Sequence, residues 1–161
     1  MRQRITTNLW FDTEAEEAAA FYVSVFKNSR VVSVSHYTAA GPRPAGMVLA
    51  VEFELDGQRF VGINGGPEFT FDEAISLAVD CQDQAEIDYY WERLSDGGEE
   101  GPCGWLKDRF GLSWQVVPTE LDGLLRDEDP ARAQRAMQAM LGMGKLDIAA
   151  LRAAADASPS T

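Results

Sequence analysis

The chain has 161 residues, 45% of them hydrophobic and 25% charged, and its 26 acidic and 14 basic residues leave a formal net charge of −12. A globule of this length buries roughly 70% of the surface its unfolded chain exposes, so no disulfide or metal staple is needed for folding. So acidic a chain repels phosphate backbones and anionic lipid surfaces, which argues against nucleic acid and membrane as partners. No stretch approaches the roughly 18 apolar residues of a membrane span, and the start, through Arg4 and Ile5, has no secretory apolar core, so a cytoplasmic protein is expected. Cys81 and Cys103 lack the spacing of a zinc or redox pair.

Ile5 to Phe11 has the β-branched and aromatic content of a strand, and Asp12 or Thr13 is placed to cap a following helix. Glu14, Glu16 and Glu17 suit the positive end of that helix, and Ala18, Phe21, Tyr22, Val25 and Phe26 recur at helical spacing before Asn28 ends it. Arg30 to Tyr37 reads as a second strand, Gly41 to Gly46 as a loop, and Met47 to Leu55 as a third strand. Asp56-Gly57 predicts a tight hairpin into a fourth strand, Gln58 to Asn64. The order is βαβββ.

The same order returns with Ile75 to Val79 as a strand, Gln84 to Leu94 as a helix and Gly97-Gly98 as its stop. Short strands follow near 99–103 and 105–107, then a turn at Asp108 to Gly111 and a strand from Leu112 to Val117. Asp129-Pro130 predicts a capped helix packing Ala133, Met137, Met140 and Leu141, and a last helix from Asp147 packs Ile148, Leu151 and Ala155. A gapless shift (80 − 12 = 68) pairs Leu9 with Leu77, Asp12 with Asp80, Phe21 with Tyr89 and Tyr22 with Tyr90, the mark of a duplicated module. Two such modules that bury surface against each other are expected to enclose a cleft, where small molecules bind.

Strand parity divides two faces. Met47, Leu49, Val51, Phe53 and Leu55 point one way, and Val48, Ala50, Glu52 and Glu54 the other. Ile75, Leu77 and Val79 oppose Ser76 and Ala78, while Leu112, Trp114 and Val116 oppose Ser113 and Gln115. The small, polar face carries Glu52, Glu54, Ser76, Ser113 and Gln115. An antiparallel sheet with one wet face alternates in the same way, so parity alone does not make this face a site.

The doubled βαβββ order and the segment Asp108-Arg109-Phe110-Gly111-Leu112-Ser113-Trp114-Gln115 resemble the vicinal oxygen chelate (VOC) superfamily, which includes glyoxalase I, extradiol dioxygenases and bleomycin-resistance proteins. Asn8-Leu9-Trp10-Phe11, Ala15-Glu16-Glu17-Ala18, Val51-Glu52-Phe53-Glu54-Leu55-Asp56-Gly57 and Cys103-Gly104-Trp105-Leu106-Lys107-Asp108 resemble its PhnB-like branch, whose members are often labelled 3-demethylubiquinone-9 3-methyltransferase domain proteins. The resemblance covers Ile5 to about Ala154. It implies an α+β fold of tandem βαβββ modules with C-terminal helices. Residues 1–157 would then form one domain, made of modules 5–66 and 72–118 and a helical extension, 119–157.

The superfamily's metal ligands fall at positions matching Thr7, Glu52, Ala74 and Gln115. Of these only Glu52 binds a divalent ion well, Gln115 offers a weaker amide oxygen, and the chain has one histidine, His36. The cofactor is therefore open, with a weakly bound divalent metal at Glu52 and Gln115 considered but not favoured. Gly62-Ile63-Asn64-Gly65-Gly66 follows a strand but opens no helix, so a nucleotide-type cradle for a methyl donor is not expected there.

The candidate catalytic groups are Glu52 and His36. Histidine's ordinary pKa of about 6.5 suits a base, although a lone strand histidine is more often a surface residue. Glu52 and Glu54 along one strand have the geometry of an acid/base pair, or of two solvated carboxylates. The expected pocket draws on Thr7, Leu9, Glu52, Glu54, Asn64, Ser76, Trp105, Ser113 and Gln115, with Trp105 stacking on a planar ligand. Two classes of function remain: a protein that binds a small molecule between the modules without a tightly held metal, and an enzyme. The enzyme would be a metal-dependent isomerase, lyase or dioxygenase, or a methyltransferase as the label implies. The resemblance also implies a homodimer, with which exposed strand edges agree.

Overall fold

In the computed structural model, which describes residues 3–158, the chain divides into two compact units, Met1–Phe71 and Asp72–Thr161. The first contains β1 (Thr7–Phe11), α1 (Ala15–Val25), β2 (Arg30–His36), β3 (Val48–Leu55) and β4 (Gln58–Asn64), with the sheet ordered β1-β4-β3-β2. The second contains β5 (Ser76–Cys81), α2 (Gln84–Ser95), β6 (Glu99–Glu100), β7 (Trp105–Lys107) and β8 (Ser113–Pro118), ordered β5-β8-β7-β6. After β8 come α3 (Leu121–Leu125), α4 (Pro130–Leu141) and α5 (Ile148–Asp156). In each sheet the first strand runs parallel to the last, while the other pairs are antiparallel. The expected α+β order of two βαβββ modules with C-terminal helices is therefore present; α3 is an addition that the sequence reading lacked.

Each helix covers one sheet face. Ala18, Tyr22 and Val25 of α1 are buried with Val51, Phe53 and Phe60, and the Tyr22, Phe53 and Phe60 rings stack in series at 6.1 and 5.6 Å. Ile87, Trp91 and Leu94 of α2 are buried with Leu106, Trp114 and Val116. These stripes correct the 68-residue shift. Ala18 matches Ile87, Tyr22 matches Trp91 and Val25 matches Leu94 (91 − 22 = 69), so Tyr89 turns outward and is exposed. At the strand ends, Phe11 O accepts from Gly65 N as Cys81 O accepts from Thr119 N, a shift of 70 (81 − 11 = 70). Ile75 also departs from expectation: it precedes β5 and is exposed, so Leu77, Val79 and Cys81 form the strand's inner row.

The helix starts differ between units. Neither Asp12 nor Thr13 caps α1; the buried Asn64 Oδ1 accepts from Ala15 N at 2.8 Å, and Asn64 Nδ2 donates to Val48 O at 3.2 Å. In α2 the cap is local, Asp83 accepting from Glu86 N at 2.9 Å. The Asp56-Gly57 turn has φ of 49° and 82°, the pair of positive angles that a two-residue hairpin needs. No helix among the described residues is long and apolar enough to cross a membrane.

Candidate functional site: the uncovered sheet faces

Strand register fixes which side chains share a face. In the first unit Glu52 lies opposite Val61, Val61 opposite Asn8, and Ser33 opposite Glu52. This row stands on the side away from α1. Thr7 lies beside Phe60, which pairs with Phe53, so Thr7, Leu9 and Asn64 occupy the helix-covered side. Leu9 and Asn64, at 5% and 2% exposure, are packing residues, Asn64 spending its amide on the α1 start. The pocket expected to join them to Glu52 and Glu54 is thus split by the sheet itself. The physical reason is period two: neighbours one position out of step emerge on opposite faces.

Glu52 is held by Arg59 in an ion pair and accepts from Ser33 Oγ at 3.3 Å, while Glu54 pairs with Arg30 at 3.2 Å. Each carboxylate has its own guanidinium. Arg59 was missing from the sequence candidates. Its signal was available: counting back from the Asp56-Gly57 hairpin sets Arg59 opposite Glu54 and one step diagonal to Glu52. His36 ends β2 and is exposed.

In the second unit, Ser76 pairs with Ser113 and Ser113 with Lys107, while Ala78 pairs with Gln115 and Gln115 with Trp105. Four expected pocket residues, Ser76, Trp105, Ser113 and Gln115, therefore share the face away from α2. Gln115 Nε2 donates to Ser76 Oγ at 2.9 Å. Ala74 lies in the turn before β5 and is exposed, its N–H donating to Asp72 at 2.9 Å.

Asp108 explains the motif ahead of β8. Its buried carboxylate accepts from Phe110 N at 2.8 Å and Leu112 N at 3.1 Å with one oxygen, and from Trp114 Nε1 at 2.9 Å with the other. Gly111 takes a φ of 87°, which only glycine adopts cheaply. This turn fixes how β8 enters the sheet, and with it the directions of Ser113 and Gln115.

A hollow of about 170 Å³ opens on this face, lined by Glu73, Glu99, Glu100, Gly101, Pro102, Trp105, Leu106, Lys107 and Ser113. Lys107 and Glu73 form an ion pair at its edge. The hydrogen bond from Lys107, with its charge, holds Glu73 below the ordinary carboxylate range, and the same bond from Glu73 raises Lys107. Ser113 is 1% exposed and its Oγ has no hydrogen-bond partner among the described residues. Neither Lys107 nor Glu73 was among the sequence candidates; the Lys107–Ser113 pairing depends on a strand only three residues long.

Among the described residues no group of three His, Cys, Asp or Glu side chains is arranged to hold a metal ion. Glu52 is engaged by Arg59, and Gln115 is tied to Ser76. The chain's own residues do not fit the superfamily's metal. Nor does the glycine run form a cradle for a methyl donor. A side chain at Gly65 would collide with the Trp10 indole, Gly66 O accepts from Trp10 Nε1 at 2.9 Å, and Gly65 N donates to Phe11 O. Gly65 makes room for Trp10.

The family model described as 3-demethylubiquinone-9 3-methyltransferase matches residues 3–117. Among solved structures, a PhnB protein from Bacillus cereus, provisionally given that same methyltransferase description, is 39% identical; the match covers 73% of this chain and 100% of that one, with a TM-score of 0.65. A protein from Pseudomonas aeruginosa is 17% identical over 73% of this chain and 98% of its own, at a TM-score of 0.59. The fosfomycin resistance protein FosX from Listeria monocytogenes is 16% identical over 76% and 97%, at 0.53. The last two share the fold. No curated protein matches the chain. The architecture is that of the VOC superfamily. Within it, the chain belongs to the 3-demethylubiquinone-9 3-methyltransferase family, the PhnB-like branch.

Proposed function

We propose that this protein binds a small molecule on the uncovered sheet face of the Asp72–Thr161 unit, without a tightly held catalytic metal. The observation that supports this reading is the Ser113 hydroxyl. A buried hydroxyl is ordinarily hydrogen-bonded, and one left without a protein partner beside a hollow is suited to a ligand atom. Ser76 and Gln115, hydrogen-bonded to each other beside Trp105, supply further polar groups and an aromatic surface on the same face.

The test is a melting-temperature screen of the full chain against small aromatic acids, amines and alcohols, with metal analysis of protein purified without chelators. A saturable shift that shrinks in Trp105→Ala, with metal well below one ion per chain, is the expected result. A stoichiometric divalent ion lost in Glu52→Ala would establish the metal-dependent enzyme instead. The family description makes methyl transfer the competing activity, and titration calorimetry with S-adenosylmethionine addresses it. Heat of binding at millimolar donor would displace the proposal.

We also propose that the protein is a homodimer. All seven residues of β2 are exposed, and the strand pairs with β3 on one side only. Val31, Val32 and Val34 are 44%, 38% and 40% exposed along it. An open edge of this length that carries valines is suited to pairing with another strand.

A further inference from the structure

We infer that the hollow above Ser113 takes a small organic cation, an ammonium head on an apolar or aromatic body. This rests on the small-molecule reading above and adds the sign of the ligand's charge.

The charges around the hollow are unbalanced. Lys107 is the single cation among its lining residues, against the carboxylates of Glu73 and Glu99. Glu73 is bound to Lys107, and Glu99 and Asp72 add their negative fields at the same ammonium. Glu99 stands directly opposite Lys107 in the β6–β7 pairing. Glu100, opposite Leu106, turns instead to the α2 side, where it accepts from Trp91 Nε1 at 3.0 Å. An incoming carboxylate or phosphate would meet more negative than positive charge, whereas an ammonium would be attracted.

Carboxylates alone do not make a site; Ser113 supplies what they lack. Its Oγ can accept from an N–H, and no donor or acceptor among the described residues reaches it. Trp105 and Pro102 give apolar walls. An indole attracts a cation over its face, and both rings suit an apolar body. At about 170 Å³ the hollow holds the equivalent of about six waters, which limits the ligand to a small molecule.

The inference is tested on the full chain with three probes of similar size: phenethylammonium, phenethyl alcohol and phenylpropionate. Binding is followed by the Trp105 indole N–H resonance, identified with Trp105→Phe. Phenethylammonium is expected to saturate this signal and to bind more tightly than the other two. Its affinity should fall about tenfold in Ser113→Ala, the loss of one charge-assisted hydrogen bond. Affinity should also fall in Glu99→Gln and rise in Lys107→Gln, which removes a competing cation. Glu16→Gln, on the exposed side of α1, controls for attraction to the net charge and should leave it unchanged. Retained or raised melting temperature in Ser113→Ala shows that the variant folds.

Tighter binding of phenylpropionate or the alcohol would overturn the cation assignment and leave the small-molecule reading standing. So would amine binding that ignores Ser113→Ala or falls equally in Glu16→Gln. No binding by any of the three also overturns the assignment, while a hit elsewhere in the broader screen would still support the reading.

Discussion

At the scale of the residue, Ser113 and Cys81 show what burial does to two small polar groups. Ser113 keeps a hydroxyl that nothing among the described residues satisfies. Replacing it with alanine removes that group's desolvation cost, so Ser113→Ala should raise the stability of the unliganded protein by about 1 kcal/mol. The urea midpoint checks this, and a fall would mean that an ordered water or a partner normally satisfies the hydroxyl. Cys81 is fully buried, and desolvation, aided by Glu86, Asp80 and Asp83, pushes its thiol up to about 12 from 9.0. The folded chain therefore holds this proton more tightly than the unfolded one. The associated stability is complete below about pH 9 and is lost as pH rises towards 12. Over that window wild type should lose melting temperature more steeply than Cys81→Ala, and parallel curves would refute the assignment. Gly65 makes a steric case: Gly65→Ala collides with the Trp10 indole and should cost roughly 1–3 kcal/mol by overpacking.

At the scale of the element, the two modules start their helices by different means. Asp83 caps α2 from within its own segment, so Asp83→Ala should cost about 1 kcal/mol in chemical denaturation. Asn64 serves α1 from the far end of β4 and also ties down Val48. Asn64→Ala should cost more, about 2–3 kcal/mol, because it leaves a buried N–H and a carbonyl short of a partner. Equal losses in the two variants would show that the long-range cap is worth no more than a local one. The contrast explains a failed expectation. Local capping is legible as an acidic residue just ahead of a helical stripe, whereas Asn64 lies 49 positions beyond the N–H it satisfies.

At the scale of the whole molecule, charge and the β2 edge act against each other. A net charge of −12 makes two copies repel, while exposed valines on an unpaired edge favour their association. The proposed dimer should therefore tighten as salt rises and screening shortens the repulsion. Sedimentation should give twice the chain mass, falling to one chain in Val34→Lys, which sets a charge on the edge strand. A single-chain mass for wild type at every concentration and salt would end the proposal.

The doubled βαβββ order, the Asp56-Gly57 hairpin and the stripe of α1 through Ala18, Tyr22 and Val25 were legible in the chain, because each follows from local conformational preference or from the repeat of apolar residues, whereas the buried row of α2 emerged only with its packing. The chain also separated the uncovered faces through Glu52, Glu54, Ser113 and Gln115, since alternation is a property of the strand alone. Only the tertiary structure decided that Thr7, Leu9 and Asn64 stand on the other side from Glu52. It chose Glu52 over Glu54 as the partner of Arg59, and it set Lys107 beside Ser113. Those outcomes depend on strand register and on which neighbour a long side chain reaches. A shift of one position reverses the face, and neither propensity nor spacing within a segment records which register the sheet adopts.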